Sequence, residues 1–299
     1  MKKNIAIVTA FGLASILMAA TGFAADLPAP PPTPAPIYTK ATPSTAGWTG
    51  FYIGGSVGGS WSESNSVTAS TTSGSFIAGQ PNAGIFAANF ASLTTGSLGT
   101  GSNGSFIGGG QIGYNWQSGK FVTGIEFDIQ GLANRNSNGA KIGQLADQFG
   151  NTITATTLVG KSLDYLDTVR GRLGFLPSPT LLLYGTGGLA FGGVKSNISI
   201  TEGNGAAFLG NAFAANSVSD TRLGWTAGLG LEWMFAPNWS AKAEYLYYDL
   251  GNVTYAVGAI APILQGGAIG SGNAEFVNNV TASTRFNGSV GRVGINYHF

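Results

Sequence analysis

Eight charged residues stand at alternate positions inside otherwise apolar runs, and they are the groups in this 299-residue chain best placed to do chemistry. Glu126 and Asp128 fall between Ile125, Phe127 and Ile129. Arg170 and Arg172 fall between Val169, Gly171 and Leu173. Glu232 lies between Leu231 and Trp233, Lys242 and Glu244 are flanked by Ala241, Ala243 and Tyr245, and Arg292 repeats the pattern near the carboxyl end. Successive side chains of a strand point to opposite faces, so these charges share one face and the aliphatic and aromatic residues the other. Four acids and four bases gathered on one face suggest a network of ion pairs. A narrow ion path lined by both signs is the alternative use of the same residues.

Other chemistry is thinly supplied. The one histidine, His298, stands on the charged parity beside Asn296. A hydrolase would need it oriented by an acid and within reach of a serine, and no His-x-Ser pairing is present. Cysteine is absent, which excludes thiolate metal sites, a cysteine nucleophile and a disulfide framework. A metal would have to be held by carboxylates almost alone. Residues 108–113 fit G-x-G-x-x-G, but that fingerprint needs a helix after it, and Tyr114-Asn115-Trp116 continues a strand. The sequence therefore predicts no catalytic set, no cofactor and no metal.

The elements that carry the charges are strands. The last residues, from Ser289 to Phe299, alternate apolar with polar and end on Tyr297 and Phe299. Similar runs cover 48–61, 105–117, 121–134, 162–176, 181–194, 222–236, 239–252 and 284–299, eight in all. Trp48 and Trp61 stand at the ends of the first like interface anchors. Three connections are short: Ser118-Gly119-Lys120, Pro177-Ser178-Pro179-Thr180 and Pro237-Asn238. The others, 62–104, 135–161, 195–221 and 253–283, are long and polar, and long and short alternate without exception. Phe76, Ile77, Ile85, Phe86 and Phe90 in the first long one suit a hairpin, a plug or a surface contact. Short turns at one end and long loops at the other are the arrangement of outer-membrane barrels. The expectation is an all-β, eight-stranded antiparallel up-and-down transmembrane barrel, with four long extracellular loops and short periplasmic turns. A soluble sandwich would put the charges outside. A helical membrane protein is disfavoured, because the longest charge-free stretch, 173–194, is broken by Pro177, Pro179 and several glycines.

Composition agrees. Charged residues make up 9% of the chain, far below the ~25–35% of an ordinary soluble surface, and glycine numbers 48. Lys2 and Lys3, an apolar run from Ile5 to Ala20 and Gly22-Phe23-Ala24 read as a signal peptide over 1–24. A Pro-rich periplasmic segment, 25–47, leads to the barrel, 48–299. Removing Lys2 and Lys3 leaves 12 basic and 13 acidic residues, with no footprint for nucleic acid.

The stretches A-D-L-P-A-P after the signal, W-T-G-F-Y-I-G-G at 48–55, D-T-V-R-G-R-L-G-F at 167–175 and the final G-R-V-G-I-N-Y-H-F are fairly specific together. Across the mature chain they resemble the small OmpA-like outer-membrane barrels of alphaproteobacteria, the porin-family or outer-membrane immunogenic proteins. The resemblance implies an abundant surface-exposed structural protein, with Tyr297 and Phe299 as the signal read by the barrel-assembly machinery. It implies outer-membrane lipid as surroundings, and an extracellular partner, if any, through the loops. No peptidoglycan-binding domain follows the barrel, which weakens a wall-tethering role. Envelope structure and surface presentation is the leading expectation, a narrow porin the alternative, and a lipid-modifying enzyme a remote third.

Overall fold

The structure is a computed structural model that describes residues 47–76, 83–101, 104–133, 137–146, 152–204, 212–261 and 276–299. The expected signal peptide, the Pro-rich segment up to residue 46, and Ile77 lie outside these. In chain order the elements are β1 (Gly50–Ser62), β2 (Ser66–Phe76), α1 (Ala83–Thr94), β3 (Gly96–Gly99), β4 (Ser105–Ser118) and β5 (Phe121–Ala133). Then come β6 (Ser137–Ala146), β7 (Thr152–Ser178), β8 (Leu181–Asn204), β9 (Ala212–Ala236), β10 (Trp239–Ile260) and β11 (Phe276–His298).

Antiparallel pairing runs β1-β4-β5-β7-β8-β9-β10-β11, and β11 pairs back onto β1 from His298↔Tyr52 to Gly288↔Ser62. Among the described residues the closed ring thus has eight strands. Closure matters physically, because a sheet edge facing hydrocarbon would leave each backbone N–H and C=O without a partner. The three short connections reduce to two-residue hairpin loops: Ser118 pairs with Phe121, Ser178 with Leu181 and Ala236 with Trp239. Gly119 takes φ +61°, a left-handed value that glycine adopts without steric cost and that matches the twist of a tight hairpin.

The outer surface of the ring is apolar. Phe121, Ile125, Phe127 and Ile129 of β5 and Leu223, Trp225, Leu229, Leu231 and Trp233 of β9 are all exposed. From Phe121 to Ile129, or Trp225 to Trp233, the belt covers about nine residues, which is what a tilted strand needs to cross a bilayer core, ~9–11. Aromatic pairs flank it near the hairpin end, Phe51–Tyr114, Phe121–Phe175, Trp233–Phe235 and Trp239–Tyr297, and at the other edge Trp225–Tyr247. Trp48 departs from the expectation of an interface anchor. It has even parity with the inward residues of β1 and is fully buried, packed with Val122, Leu176, Leu182, Tyr184 and Met234 across the hairpin mouth.

The long connections are largely strand. β7 has 27 residues and β9 has 25, far more than a crossing requires, so the sheet continues well beyond the belt. There it divides. β9 and β10 part after Trp225↔Asp249, where Gly251 at φ +77° lets β10 bulge away. On the opposite side β4 and β5 have already ended. Two sheets remain, β6-β7-β8-β9 and β10-β11-β2-β3. They enclose a core of Val67, Leu98, Val159, Ile198, Ile200, Val257, Ile260 and Val280. Helix α1 packs on this lobe through Ala87 and Phe90 against Ile153. A polar composition hid these strands from the sequence reading, since the outward Ser, Thr, Asn and Gly positions read as loop while only the inward half alternates apolar.

One residue in this lobe breaks the rule for a core. Glu202 of β8 is 1% exposed, and neither carboxylate oxygen has a hydrogen-bond donor among the described residues. Burial pushes its carboxyl from an ordinary 4.5 up to about 8. Between those values the folded lobe holds a proton that the unfolded chain has released. Its contribution is full below pH 4.5 and is lost as the pH rises through 8. The stability of the lobe is expected to fall over that interval, at up to about 1.4 kcal/mol per pH unit. Glu202→Gln should abolish the slope. Hydrogen exchange of β8 at pH 5 and pH 8 checks this, and equal wild-type protection at the two values would refute it.

Candidate functional site

All eight charges of the inward set lie in the barrel interior, each at most 5% exposed. An eight-stranded barrel has an interior just wide enough for side chains to fill it, so strand alternation brings charges from every side into contact. Arg170 on β7 is the centre. Its Nη2 donates to Asp128 Oδ2 at 2.9 Å and to Glu126 Oε1, its Nη1 to Glu244 Oε1 at 3.0 Å, and its Nε to Thr168 Oγ1 at 2.8 Å. Glu126 and Asp128 come from the neighbouring β5, but Glu244 comes from β10, across the lumen. The planar guanidinium with its five donors is suited to such a crossing, where a lysine would offer a single point charge.

The other bases complete the layer. Lys242 Nζ lies 3.1 Å from Glu126 Oε1, and Arg292 donates through Nε to Glu244 Oε2 at 2.7 Å and through Nη2 to Asp128 Oδ2 at 3.2 Å. One level toward the hairpin mouth, Arg172 Nη2 donates to Glu232 Oε2 at 2.7 Å and its guanidinium lies 4.0 Å from the centre of the Tyr184 ring. Glu232 also accepts from Asn296 Nδ2 at 2.7 Å and from Ser240 Oγ. Removing charges from water is costly unless geometry and hydrogen bonds compensate, and here every carboxylate meets at least one base.

Several participants were not singled out by their sequence context. Tyr52 donates to Glu126 Oε2 at 2.7 Å, and Tyr184 to Glu244 Oε1 at 3.1 Å. Both tyrosines share the inward parity, which is the signal that could have found them. His298 Nε2 is 2.9 Å from Ser240 Oγ and 3.3 Å from Glu232 Oε1, a serine and an acid 58 and 66 positions away. In a catalytic triad the acid and the nucleophile meet different ring nitrogens; here both meet Nε2. Trp48 and Tyr52 pack on the imidazole at 5.7 and 5.5 Å. Tyr297 and Phe299 lie outside the network, in edge contact at 5.1 Å. Among the described residues no group of three His, Cys, Asp or Glu is arranged to hold a metal ion.

Beyond the charges the interior turns apolar, with Ile107, Leu246, Val290 and Phe286 packed together inside the ring. The interior thus has three layers: Trp48 and its neighbours at the hairpin mouth, the ion pairs at mid-belt, and an apolar layer above.

A family model described as the outer membrane protein β-barrel domain matches residues 16–299. The 31 kDa outer-membrane immunogenic protein of Brucella melitensis biotype 1 is 33% identical over 294 residues, covering 96% of this chain and 98% of that one. The 25 kDa outer-membrane immunogenic protein of Brucella abortus biovar 1 is 27% identical, covering 85% and 87%. Among solved structures, the outer membrane protein OprG of Pseudomonas aeruginosa aligns over 85% of this chain and 98% of its own at 10% identity, with a TM-score of 0.39.

Proposed function

This chain belongs to the outer membrane protein β-barrel family, and from that premise we propose that it is a sealed, non-enzymatic barrel that anchors a β-rich lobe on the cell surface. The protein resides in the outer membrane, as its family and its immunogenic relatives do. The observation that carries the reading is the reach of Arg170 from β7 to Glu244 on β10, with Glu126 and Asp128 alongside, which leaves the middle of the lumen filled by bonded side chains. Trp48 below and the Ile107–Leu246–Val290 layer above support the same conclusion. A continuous water path would have to break three layers in series. The extracellular lobe, with its own core, is the part available to the outside. Hydrolytic chemistry finds no support at His298, whose serine is fully buried and whose acid is engaged by Arg172.

Biogenesis fits the same picture. Tyr297 and Phe299 close the chain at the hairpin end, Phe299 N–H bonding Phe51 O at 3.0 Å, and this carboxyl-terminal strand is the proposed signal for the barrel-assembly machinery. Outer-membrane lipid covers the belt, and any extracellular partner meets the lobe.

The deciding experiment is single-channel recording of the refolded protein in planar bilayers. The expected result is a silent bilayer at protein levels where folded barrel is verified by its heat-modifiable gel mobility. Steady, ion-selective steps from the wild type would overturn the sealed reading and make the narrow porin primary.

A further inference from the structure

Where the barrel opens into the lobe, above the lipid belt, a further buried cation stands apart from the four of the lumen network. Lys161 of β7 is 7% exposed. Its Nζ donates to Ser64 O at 2.6 Å and to Arg285 O, and it lies 4.5 Å from the centre of the Phe286 ring. Two carbonyl dipoles and an aromatic face orient an ammonium group, but they do not neutralise it. Beside it is a cavity of about 40 Å³, and no acidic side chain is among the residues that line it.

The wall is rich in hydroxyls instead. Thr100, 1% exposed, lines the cavity with an Oγ1 that has no partner among the described residues. Asn287 contributes its amide, with Oδ1 unpartnered while Nδ2 sits 3.0 Å from the Tyr247 hydroxyl. Turning that amide over lets Tyr247 donate to Oδ1 and directs the NH2 group into the cavity, an assignment equally consistent with the heavy-atom positions. An ammonium, a hydroxyl and an amide then stand as donors among the residues that line one small volume. A buried charge is costly unless it is paired, and the described residues that line the cavity supply no anion to pair with it. Burial alone pulls the Lys161 ammonium from 10.5 down to about 8, with no carboxylate holding it up.

We propose that this cavity binds one small monovalent anion of halide size, coordinated by Lys161, Thr100 and Asn287. The volume suits one or two water-sized bodies. The inference is independent of whether the lumen conducts.

Two measurements on the full-length refolded protein test it. Crystals grown in sodium bromide should show an anomalous bromine peak against Lys161 Nζ. In solution, the thermal midpoint should rise by about 2–4 °C when chloride or bromide replaces isethionate at constant ionic strength. Lys161→Met should lose that rise, and Thr100→Val should diminish it without removing the cation. If Lys161→Met does not fold, the bromide map and Thr100→Val decide. A wild-type map without a bromine peak, or a halide response unchanged in the variants, would mean that the cavity holds water alone and would overturn the proposal.

Discussion

Arg170→Ala is expected to cost the folded barrel about 3–5 kcal/mol, the range for removing one partner of a buried ion pair. The side chain is fully buried and makes ion pairs with Glu126, Asp128 and Glu244. Its loss leaves four acids facing three bases in the mid-belt interior. Lys242 and Arg292 still reach Glu126, Asp128 and Glu244, so the network is weakened rather than dismantled. Arg170→Lys should recover only part of the loss, because one ammonium cannot span carboxylates on β5 and β10 as the guanidinium does. Urea titration followed by gel mobility of the folded form gives the number. A loss below about 1 kcal/mol would show the pairing to be dispensable, as exposed pairs commonly are.

Trp48→Ala is expected to be comparably severe, about 3–5 kcal/mol, through the cavity it opens at the hairpin mouth. The indole is fully buried among Val122, Leu176, Leu182, Tyr184 and Met234, and its Nε1 donates to Pro179 O at 3.0 Å in the β7–β8 turn. Trp48→Phe keeps most of the volume and forfeits the hydrogen bond, so its cost should stay near 1–2 kcal/mol. Equal losses in the two variants would mean that the hydrogen bond, and not the packing, holds the mouth shut. Because the layers act in series, neither Trp48→Ala nor Arg170→Ala alone should pass current in a bilayer, since the layers left intact still close the lumen.

The glycines of the strands let neighbouring strands lie close on the inward face. A Cβ on Gly188 would come within 2.1 Å of Val169 O, and one on Gly109 within 1.9 Å of Ile129 O. Both positions face inward, where a side chain would run into the backbone of the neighbouring strand. The high glycine content that reads in the sequence as loop or low complexity is therefore partly a packing requirement of a narrow barrel.

The sequence by itself determined which face each strand residue occupies. Period-two alternation is a local property of extended chain, so Glu126, Asp128, Arg170, Arg172, Glu232, Lys242, Glu244 and Arg292 could be assigned to one interior without knowing their partners. It determined the three hairpins as well, because Pro-Asn and Ser-Gly-Lys are short and locally encoded. What it could not contain was register across the lumen. That Arg170 reaches Glu244, or that Ser240 meets His298, depends on closure of β11 onto β1 and on the stagger of every intervening strand, which is a property of the whole ring. The lobe was hidden for a related reason. Its sheets are polar outside and pack only half their residues, and their core forms from β2, β3 and β7–β11 together, so no single stretch carries a strong apolar signal. Trp48 shows the limit most plainly: its position suggested an interface anchor, and only its packing with Val122, Leu176, Leu182, Tyr184 and Met234 across the hairpin mouth places it inside.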